Sequence, residues 1–272
     1  MPADSERSIG GAPSARVRAV NRGTVNSGGD FVLYWMIAFR RPRHNFALDR
    51  AAAWARALGR PLVVLESLPV DYPHASERLH RFVLDGMSDN QAAFARTPVR
   101  YYPYVEPSPG AGKGLLAELS ARAAVVVTDD YPCFFLPHAV AAAGRQVTVR
   151  LEAIDSIGLI PISAVPQAYP AAVHFRRFMQ GSLRTHLRDV PLASPSFDDL
   201  PALDGGLPRS VADRWPAASA GLLAQGSADV RDLPIDHRVG PAPFAGGYRT
   251  AAKALTAFVR TRLETYHEHH SH

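Results

Sequence analysis

The fold is decided by the stretch FVLYWMI at residues 31–37 and by NFALDRAAAWARAL, which follows at residues 45–58. The first stretch is a short apolar run rich in aromatic and β-branched residues, which is typical of a buried strand. The second stretch repeats apolar residues on one helical face, with Asn45 suited to the N-cap and Gly59 to the C-terminal end. The two stretches together predict one strand–helix unit.

The same alternation continues along the chain. Because the strands are continuous apolar runs, they predict a parallel sheet that is covered on both faces. The expected fold class is therefore α/β: a Rossmann-like, doubly wound parallel five-stranded sheet with helices on both faces. Such sheets bind ligands at the carboxyl ends of their strands. The further strands are expected at 61–68, 99–106, 124–130 and 146–155, and the further helices at 76–95, 113–123 and 136–144.

The segments on either side of this domain differ in composition. Residues 1–28 are polar and small, which predicts a disordered leader before the α/β domain at 29–188. Residues 189–246 are dense in Pro, Gly, Asp and Ser, which predicts a long linker with at most a short helix within 210–223. Residues 247–272 read as one C-terminal amphipathic helix, the first element of a second, helical unit.

The charge and cysteine content restrict the function only loosely. The chain has 272 residues, a net charge of +5 and a pI near 9.6, and its positive charge is almost all arginine. Arginine suits phosphate contacts, but the same bias follows from genomic base composition, so nucleic-acid binding stays open. The single Cys133, expected to be buried in CFFLP, excludes an internal disulfide and favours a reducing, cytoplasmic location. The chain has no apolar run of membrane-spanning length, so no membrane partner is expected.

The sequence contains no motif that identifies a catalytic centre or a metal site. The segment PSPGAGKGLL (107–116) lacks the spacing and hydroxyl of a phosphate-binding loop and is interpreted as a glycine-rich turn. Asp129 and Asp130 end a strand, where carboxylates can bind a metal or ribose, but organising a loop is the favoured role. The terminal histidines at 267–272 lack the other ligands of a closed site. We therefore predict no catalytic and no metal residues.

The segment LYWMIAFRRPRHNFAL (33–48) resembles the opening of the photolyase/cryptochrome family, and most closely its class II DNA photolyases. His44, Phe46 and Ala38 depart from that pattern, where the family usually has Asp, Trp and Arg. Further resemblances follow in the family's order and span most of the chain. They are RLHRFVLDGM (78–87), VVTDDYP (126–132), EAIDSIGLIPI (152–162), HFRRFMQGSLRTHL (174–187) and GGYRTAAKALTAFVRTRLETY (246–266).

The resemblance implies a function, cofactors and partners. In this family the N-terminal α/β domain carries an antenna chromophore, a deazaflavin or a folate, and a helical domain binds FAD and takes in the damaged dinucleotide. The implied activity is that of a deoxyribodipyrimidine photo-lyase, which repairs cyclobutane pyrimidine dimers in damaged DNA with light. Tyr266 matches a tyrosine that contacts the flavin phosphates. The candidate antenna or nucleotide contacts are chosen by topology, at the ends of the first and fourth strands: Trp35, Met36, Arg40, Arg41, Asn45 and Asp129.

The family pattern stops within the last residues of this sequence. His270 and Ser271 stand where the family has an Arg–Asn pair, and most of the flavin domain has no counterpart here. We therefore expect these 272 residues alone to be inactive and to hold no FAD, with a helical flavin domain either missing or separately encoded. One alternative is a stand-alone antenna- or nucleotide-binding module without catalysis. Another is an unrelated nucleotide-binding α/β protein, whose last helix would dock on the sheet domain.

Overall fold

A six-stranded sheet forms the centre of the molecule. The computed structural model describes residues 9–269, and within them the sheet has the strand order β1-β6-β5-β2-β3-β4. Strands β2 to β6 run parallel, and β1 pairs antiparallel with β6. The predicted α/β class is confirmed, with one strand more than expected. The strands are β1 (Val17–Ala19), β2 (Phe31–Met36), β3 (Leu62–Leu68), β4 (Arg100–Val105), β5 (Ala123–Asp129) and β6 (Leu151–Ile154).

Helices cover both faces of the sheet, as its apolar strands require. Successive side chains of β2 alternate between the faces: Val32 and Tyr34 pack in one core cluster, and Leu33 packs in the other. Helix α1 covers the first face, while α3 and α4 cover the second. The helices are α1 (Phe46–Leu58), α2 (Glu77–Phe94), α3 (Leu115–Ala121), α4 (Leu136–Gln146), α5 (Ala172–His186), α6 (Arg209–Arg214), α7 (Ala220–Leu223), α8 (Tyr248–Thr261) and α9 (Tyr266–His269).

The ends of α1 follow from its flanking residues. The Asn45 side-chain oxygen accepts hydrogen bonds from the backbone N–H groups of Ala47 and Leu48, at 3.0 and 3.2 Å. Gly59 ends the helix with φ of 58°, a left-handed conformation that glycine adopts without steric strain. The first helix therefore begins and ends where the sequence predicts.

The prediction of a disordered leader is wrong for residues 9–28. Strand β1 pairs with β6, and the preceding Arg16 is buried. The guanidinium of Arg16 donates hydrogen bonds to the carbonyl oxygens of residues in the turn after β6, including Ile157 at 3.1 Å and Leu159 at 2.9 Å. This arrangement was not predictable from local sequence, because a three-residue polar strand carries no periodic signal. Residues 1–8 lie outside the described part of the chain.

The linker at 189–246 packs along the α/β domain. It contains two short helices, α6 and α7, where at most one was expected, and a 3-10 turn at Ala228–Asp232. Trp215 ties it to the second core cluster: its Nε1 donates to Ala111 O at 3.0 Å, and its carbonyl accepts from Tyr102 Oη at 2.6 Å. Apolar side chains spread over the whole segment are buried in the same way. These are Phe197, Leu200, Val211, Trp215, Leu223, Val230 and Leu233.

Helices α5 and α8 present apolar side chains to solvent. Neither helix contains a buried residue. Helix α8 is attached at its start, where the Arg249 backbone N–H and side chain both donate to the Asp89 carboxylate at 2.9 and 2.5 Å. The docking that an unrelated α/β protein would show is therefore not seen for this helix. The exposed apolar side chains are Val173, Phe175 and Met179 on α5, and Leu255 and Val259 on α8.

Asp49 joins α1 to the linker. Its Oδ2 accepts a hydrogen bond from the Leu192 backbone N–H at 2.9 Å, while its buried Oδ1 has no partner among the described residues. Burial raises the pKa of the Asp49 carboxyl from 3.8 to about 6, although the Leu192 N–H and the charge of Arg56 act in the opposite direction. The folded protein therefore binds a proton at Asp49 more tightly than the unfolded chain does.

We expect Asp49→Asn to remove a pH dependence of stability. Because the pKa of Asp49 is raised in the folded protein, its carboxyl destabilises the fold when it is ionised. Its relative contribution to the free energy of unfolding is fully present below about pH 4 and is lost as the pH rises through about 6. A shift of about two units corresponds to about 2–3 kcal/mol. Asp49→Asn should therefore stabilise the protein by up to about that amount at pH 7 and leave it unchanged at pH 4. Urea unfolding of both proteins at the two pH values measures this, and an equal difference at both would contradict it.

Candidate functional site

A cavity of about 250 Å³ lies at the carboxyl edge of the sheet. It is bounded by the ends of β2, β3 and β4 and by helices α3 and α4, which is the position where doubly wound sheets bind their ligands. Its walls are mostly apolar and include three aromatic rings. The main wall residues are Trp35, Leu65, Tyr104, Leu115, Leu116 and Phe135. We call it the strand-end cavity.

Glu106 and Trp35 of the strand-end cavity make hydrogen bonds within the protein, whereas the Tyr104 hydroxyl makes none with the described residues. Glu106 accepts from the backbone N–H of Gly112 at 2.9 Å and from that of Val70 at 3.1 Å, which joins the loops after β3 and β4. Trp35 Nε1 donates to Ser67 Oγ at 3.3 Å. Among the described residues lining this cavity, none is an arginine, lysine or histidine. The cavity therefore suits a flat, apolar ring system better than an anionic group.

Gly112 explains the glycine-rich segment that follows β4. A Cβ atom at this position would lie 3.2 Å from the Tyr104 ring and 3.3 Å from Glu106 Oε1. Both contacts are tighter than ordinary packing, so a side chain here would press on the cavity wall. The segment 107–116 is therefore a turn that lets the backbone approach the cavity, as its interpretation as a turn predicted.

An aromatic cluster stands at the rim of the strand-end cavity. The Phe135 ring lies 4.9 Å from Phe134 and 5.8 Å from Tyr72, which in turn stacks on His80 at 5.6 Å. Phe134 has φ of 66° and is 56% exposed, an unusual conformation for a bulky residue. The same turn leaves Cys133 exposed, so the expected burial of this cysteine is wrong. The rim thus carries one exposed ring, that of Phe134, in a strained turn.

Asp129 holds the loop that follows β2. Its buried carboxylate accepts hydrogen bonds from Tyr34 Oη at 2.6 Å and from three successive backbone N–H groups, those of residues 37, 38 and 39, at 2.9, 2.7 and 3.0 Å. Burial raises the pKa of Asp129, and these hydrogen bonds oppose that effect. Asp129 thus has the loop-organising role, and its side chain is not among the groups lining the cavity.

The other candidate antenna residues lie beside the cavity. Asn45 donates to Tyr34 Oη and Phe39 O, and Met36 is buried in the core. Arg40 donates to Ser67 O at 2.8 Å, and Arg41 to His44 O at 3.0 Å. Of the six candidates, Trp35 alone is among the residues that line the cavity. A ligand role for the six stays a prediction.

Arg40 is fixed by a buried carboxylate. Glu66 accepts from Arg40 Nη1 at 3.1 Å, from Asn90 Nδ2 at 2.7 Å and from Tyr101 Oη at 2.6 Å. Burial, followed by the nearby Glu66 charge, raises the pKa of Tyr101 well above its usual value, so the phenol stays a neutral donor. This network holds the guanidinium of Arg40 at the end of β3, next to the cavity.

Tyr266, the predicted FAD contact, lies on α9. Its side chain is 53% exposed, and its ring meets Phe258 edge-on at 5.7 Å. A flavin contact by Tyr266 stays a prediction. Among the described residues no cluster of His, Cys, Asp and Glu could hold a metal ion. His267 lies 3.6 Å from Glu268, and His270, Ser271 and His272 fall outside the described residues.

Sequence reasoning missed most of the residues that form the cavity. Ser67 lies at the carboxyl end of β3 and Phe135 in the loop after β5, where a ligand site was expected, but neither residue type is specific for ligand binding. Leu115 and Leu116 begin α3 and are indistinguishable in sequence from core residues. The available signal was therefore the position of the segment in the topology and not the chemistry of its residues.

Comparisons with known proteins agree with this architecture. No family model matches the chain. The chain is 24% identical over 260 residues to a protein named deoxyribodipyrimidine photo-lyase from Methanothermobacter thermautotrophicus, covering 92% of this chain and 52% of that protein. Its fold is similar to the crystal structure of a cryptochrome from Synechocystis sp. PCC6803, with a TM-score of 0.61, 15% identity, and coverage of 88% of this chain and 48% of that one. The chain thus spans about half the length of both relatives.

No helix within residues 9–269 is both long and apolar enough to cross a membrane.

Proposed function

From the premise that sequence and fold relate this chain to the photolyase/cryptochrome family, we propose that its α/β domain holds an antenna chromophore for light-driven DNA repair. The relationship confirms the family resemblance that residues 33–48 indicated. The observation that carries the proposal is the apolar strand-end cavity beside Trp35. Antenna capture requires an apolar pocket for an aromatic ring system, and the lining of this cavity is mostly apolar.

The cavity favours a deazaflavin ring over a folate. Trp35, Tyr104 and Phe135 supply aromatic surface for a flat tricyclic ring, while the anionic tail of a folate would meet Glu106 as the charged side chain of the lining. Burial of roughly 300 Å² of ring surface contributes on the order of 7 kcal/mol. Stacking on the three aromatic rings would add about 3 kcal/mol. The loss of translational and rotational freedom costs at least about 4 kcal/mol, which leaves about 6 kcal/mol and a Kd of about 10–100 µM.

The reaction proposed for the protein is the repair of cyclobutane pyrimidine dimers in damaged DNA. The similarity to a deoxyribodipyrimidine photo-lyase supports this activity. When bound, FAD would supply the electron that splits the cyclobutane ring. Tyr266 would contact the flavin, and the exposed apolar faces of α5 and α8 would pack against a helical flavin domain. The α/β domain would contribute the antenna and a rigid platform for that domain.

A stand-alone antenna module without catalysis is the second candidate. The observation that favours it is that every residue lining the strand-end cavity belongs to the α/β domain. A repair assay tests whether these residues act without a further domain: the purified 272-residue chain is mixed with dimer-containing DNA and FAD under blue light. For these residues alone we expect no repair and no stoichiometric FAD. A sample that carries flavin and repairs dimers would overturn that expectation and assign the activity to this chain.

Chromophore titration tests the antenna proposal directly. We expect a deazaflavin to bind the purified chain with a Kd of about 10–100 µM, and a methenyl folate to bind about tenfold more weakly. Fluorescence of the ligand at fixed protein concentration measures both. Absence of deazaflavin binding at several hundred micromolar protein would reject the antenna role. Tighter binding of the folate than of the deazaflavin would reject the proposed preference for a deazaflavin ring.

A further inference from the structure

A second cavity, of about 380 Å³, lies between the first half of α2 and the linker segment 225–245. We call it the α2 cavity. It shares no lining residue with the strand-end cavity and lies against a different part of the chain. Its lining combines two kinds of groups: the arginines and a polar turn, which we call the basic wall, and the aromatic and proline side chains, which we call the apolar wall.

The basic wall contains Arg78, Arg81 and Arg231. Arg231 is exposed and makes no hydrogen bond or ion pair with the described residues. Arg81 is buried, and its Nε donates to Asp85 at 2.9 Å, yet its buried Nη2 has no partner among the described residues. Its Nη1 makes one long contact of 3.4 Å with Leu222 O. The fork of Arg81 therefore carries more N–H donors than the surrounding protein uses.

The two carboxylates that line the cavity are already paired. Glu77 Oε2 lies 2.9 Å from His237 Nδ1, and Asp85 accepts from Arg81 and from the Gly246 backbone N–H. The turn beside them adds polar groups, since the Ser227 Oγ accepts from Asp229 N and keeps its own proton for donation. Arg78 and Arg231 have no carboxylate partner among the described residues, whereas Arg81 pairs with Asp85. Two cationic side chains therefore remain on this wall, which suits a phosphate group.

The apolar wall includes two phenylalanine rings. Phe82 and Phe244 meet edge-on with their ring centroids 6.2 Å apart, and they are 45% and 63% exposed. Pro241 and Pro243 continue this wall. Large apolar side chains that remain this exposed beside a cavity provide a surface on which a nucleobase can stack. A phosphate site and a stacking surface thus face the same space.

We propose that the α2 cavity binds a mononucleotide, with its base against Phe82 and Phe244 and its phosphate at Arg231 and Arg81. The cavity volume lies at the lower end of the range for small-molecule sites, which fits one nucleotide. A nucleic-acid strand is the poorer fit, because a strand needs a groove with successive phosphate contacts, whereas these arginines converge on one cavity. This site goes beyond the proposed antenna function, and its test does not depend on that function.

Calorimetric titration of the full chain with AMP, TMP, inorganic phosphate and a short single-stranded oligonucleotide tests the proposal. We expect both nucleotides to bind more tightly than phosphate, and Arg231→Ala to weaken them by about tenfold or more. Arg96→Ala is the matched control, because Arg96 is another exposed arginine, at the end of α2 and outside the cavity. Phe244→Ala should reduce nucleotide affinity toward that of phosphate while leaving phosphate binding unchanged.

Three results would overturn the proposal. Equal affinity for phosphate and nucleotides would show that the base does not stack on Phe82 and Phe244. An equal effect of Arg231→Ala and Arg96→Ala would show that binding depends only on the overall positive charge. Tighter binding of the oligonucleotide than of either nucleotide would show that the ligand of the α2 cavity is a nucleic-acid strand and not a mononucleotide. Arg231 and Phe244 are exposed, so an unchanged melting temperature of each variant verifies that lost binding is not lost folding.

Discussion

Replacing Ala139 with tryptophan is expected to abolish chromophore binding and to leave the domain folded. Ala139 lies on α4, lines the strand-end cavity and is partly exposed, so an indole at this position can enter the cavity without displacing the core. An indole would fill much of a space of about 250 Å³. The ring of the ligand would then lose its burial, and the affinity should fall by about 100-fold or more. Fluorescence titration with a deazaflavin measures this loss.

Ala141→Trp provides the matched control. Ala141 lies on the same helix, is exposed and does not line the cavity, so the same substitution there changes composition and helix propensity equally. Its chromophore affinity should equal that of the unmodified protein. If both variants bind the deazaflavin normally, the ligand does not occupy the strand-end cavity. If both lose binding, the effect is on α4 as a whole and the cavity assignment loses its support.

The central part of the fold could be predicted because its signals are local. The apolar run that forms β2 and the apolar stripe of α1 each lie within a few residues, and Asn45 caps α1 through its immediate neighbours. Strand β1 could not be predicted in this way. Arg16 is held by carbonyl groups about 140 residues away in sequence, and no local pattern reports such a contact.

The sequence predicted where in the fold the cavity lies, but not most of the residues that line it. The rule that ligands bind at strand ends located the cavity beside Trp35. Asp129 and Asn45 were candidates because polar side chains at such positions often bind ligands. Here the side chains of both residues form hydrogen bonds to Tyr34 Oη and to backbone groups of the loop after β2. Which way a polar side chain turns depends on the path of that loop, and the path is a tertiary property.

The exposed helices illustrate the opposite case. Periodicity predicted that α8 is amphipathic, and the structure shows its apolar face exposed, with Leu255 and Val259 at least half accessible to solvent. A pattern reports which side chains share a face but not what covers that face. The same holds for Phe175 and Met179 on α5. For both helices, the proposed helical flavin domain is the partner that would cover the apolar face.

Asp129→Ala is expected to lower the free energy of unfolding by about 3–5 kcal/mol, because it leaves buried donors without an acceptor. The carboxylate accepts from Tyr34 Oη and from three successive backbone N–H groups of residues 37–39, and water cannot replace it at a fully buried site. Asp130→Ala is the control: the neighbouring carboxylate pairs with Arg18 at the surface, and such a pair contributes about 1 kcal/mol or less. Urea unfolding at pH 7 measures both.

Equal losses of the free energy of unfolding in the two variants would show that Asp129 does not organise the loop. A selective loss, accompanied by weaker deazaflavin binding, would show that this loop also sets the position of Trp35 at the cavity.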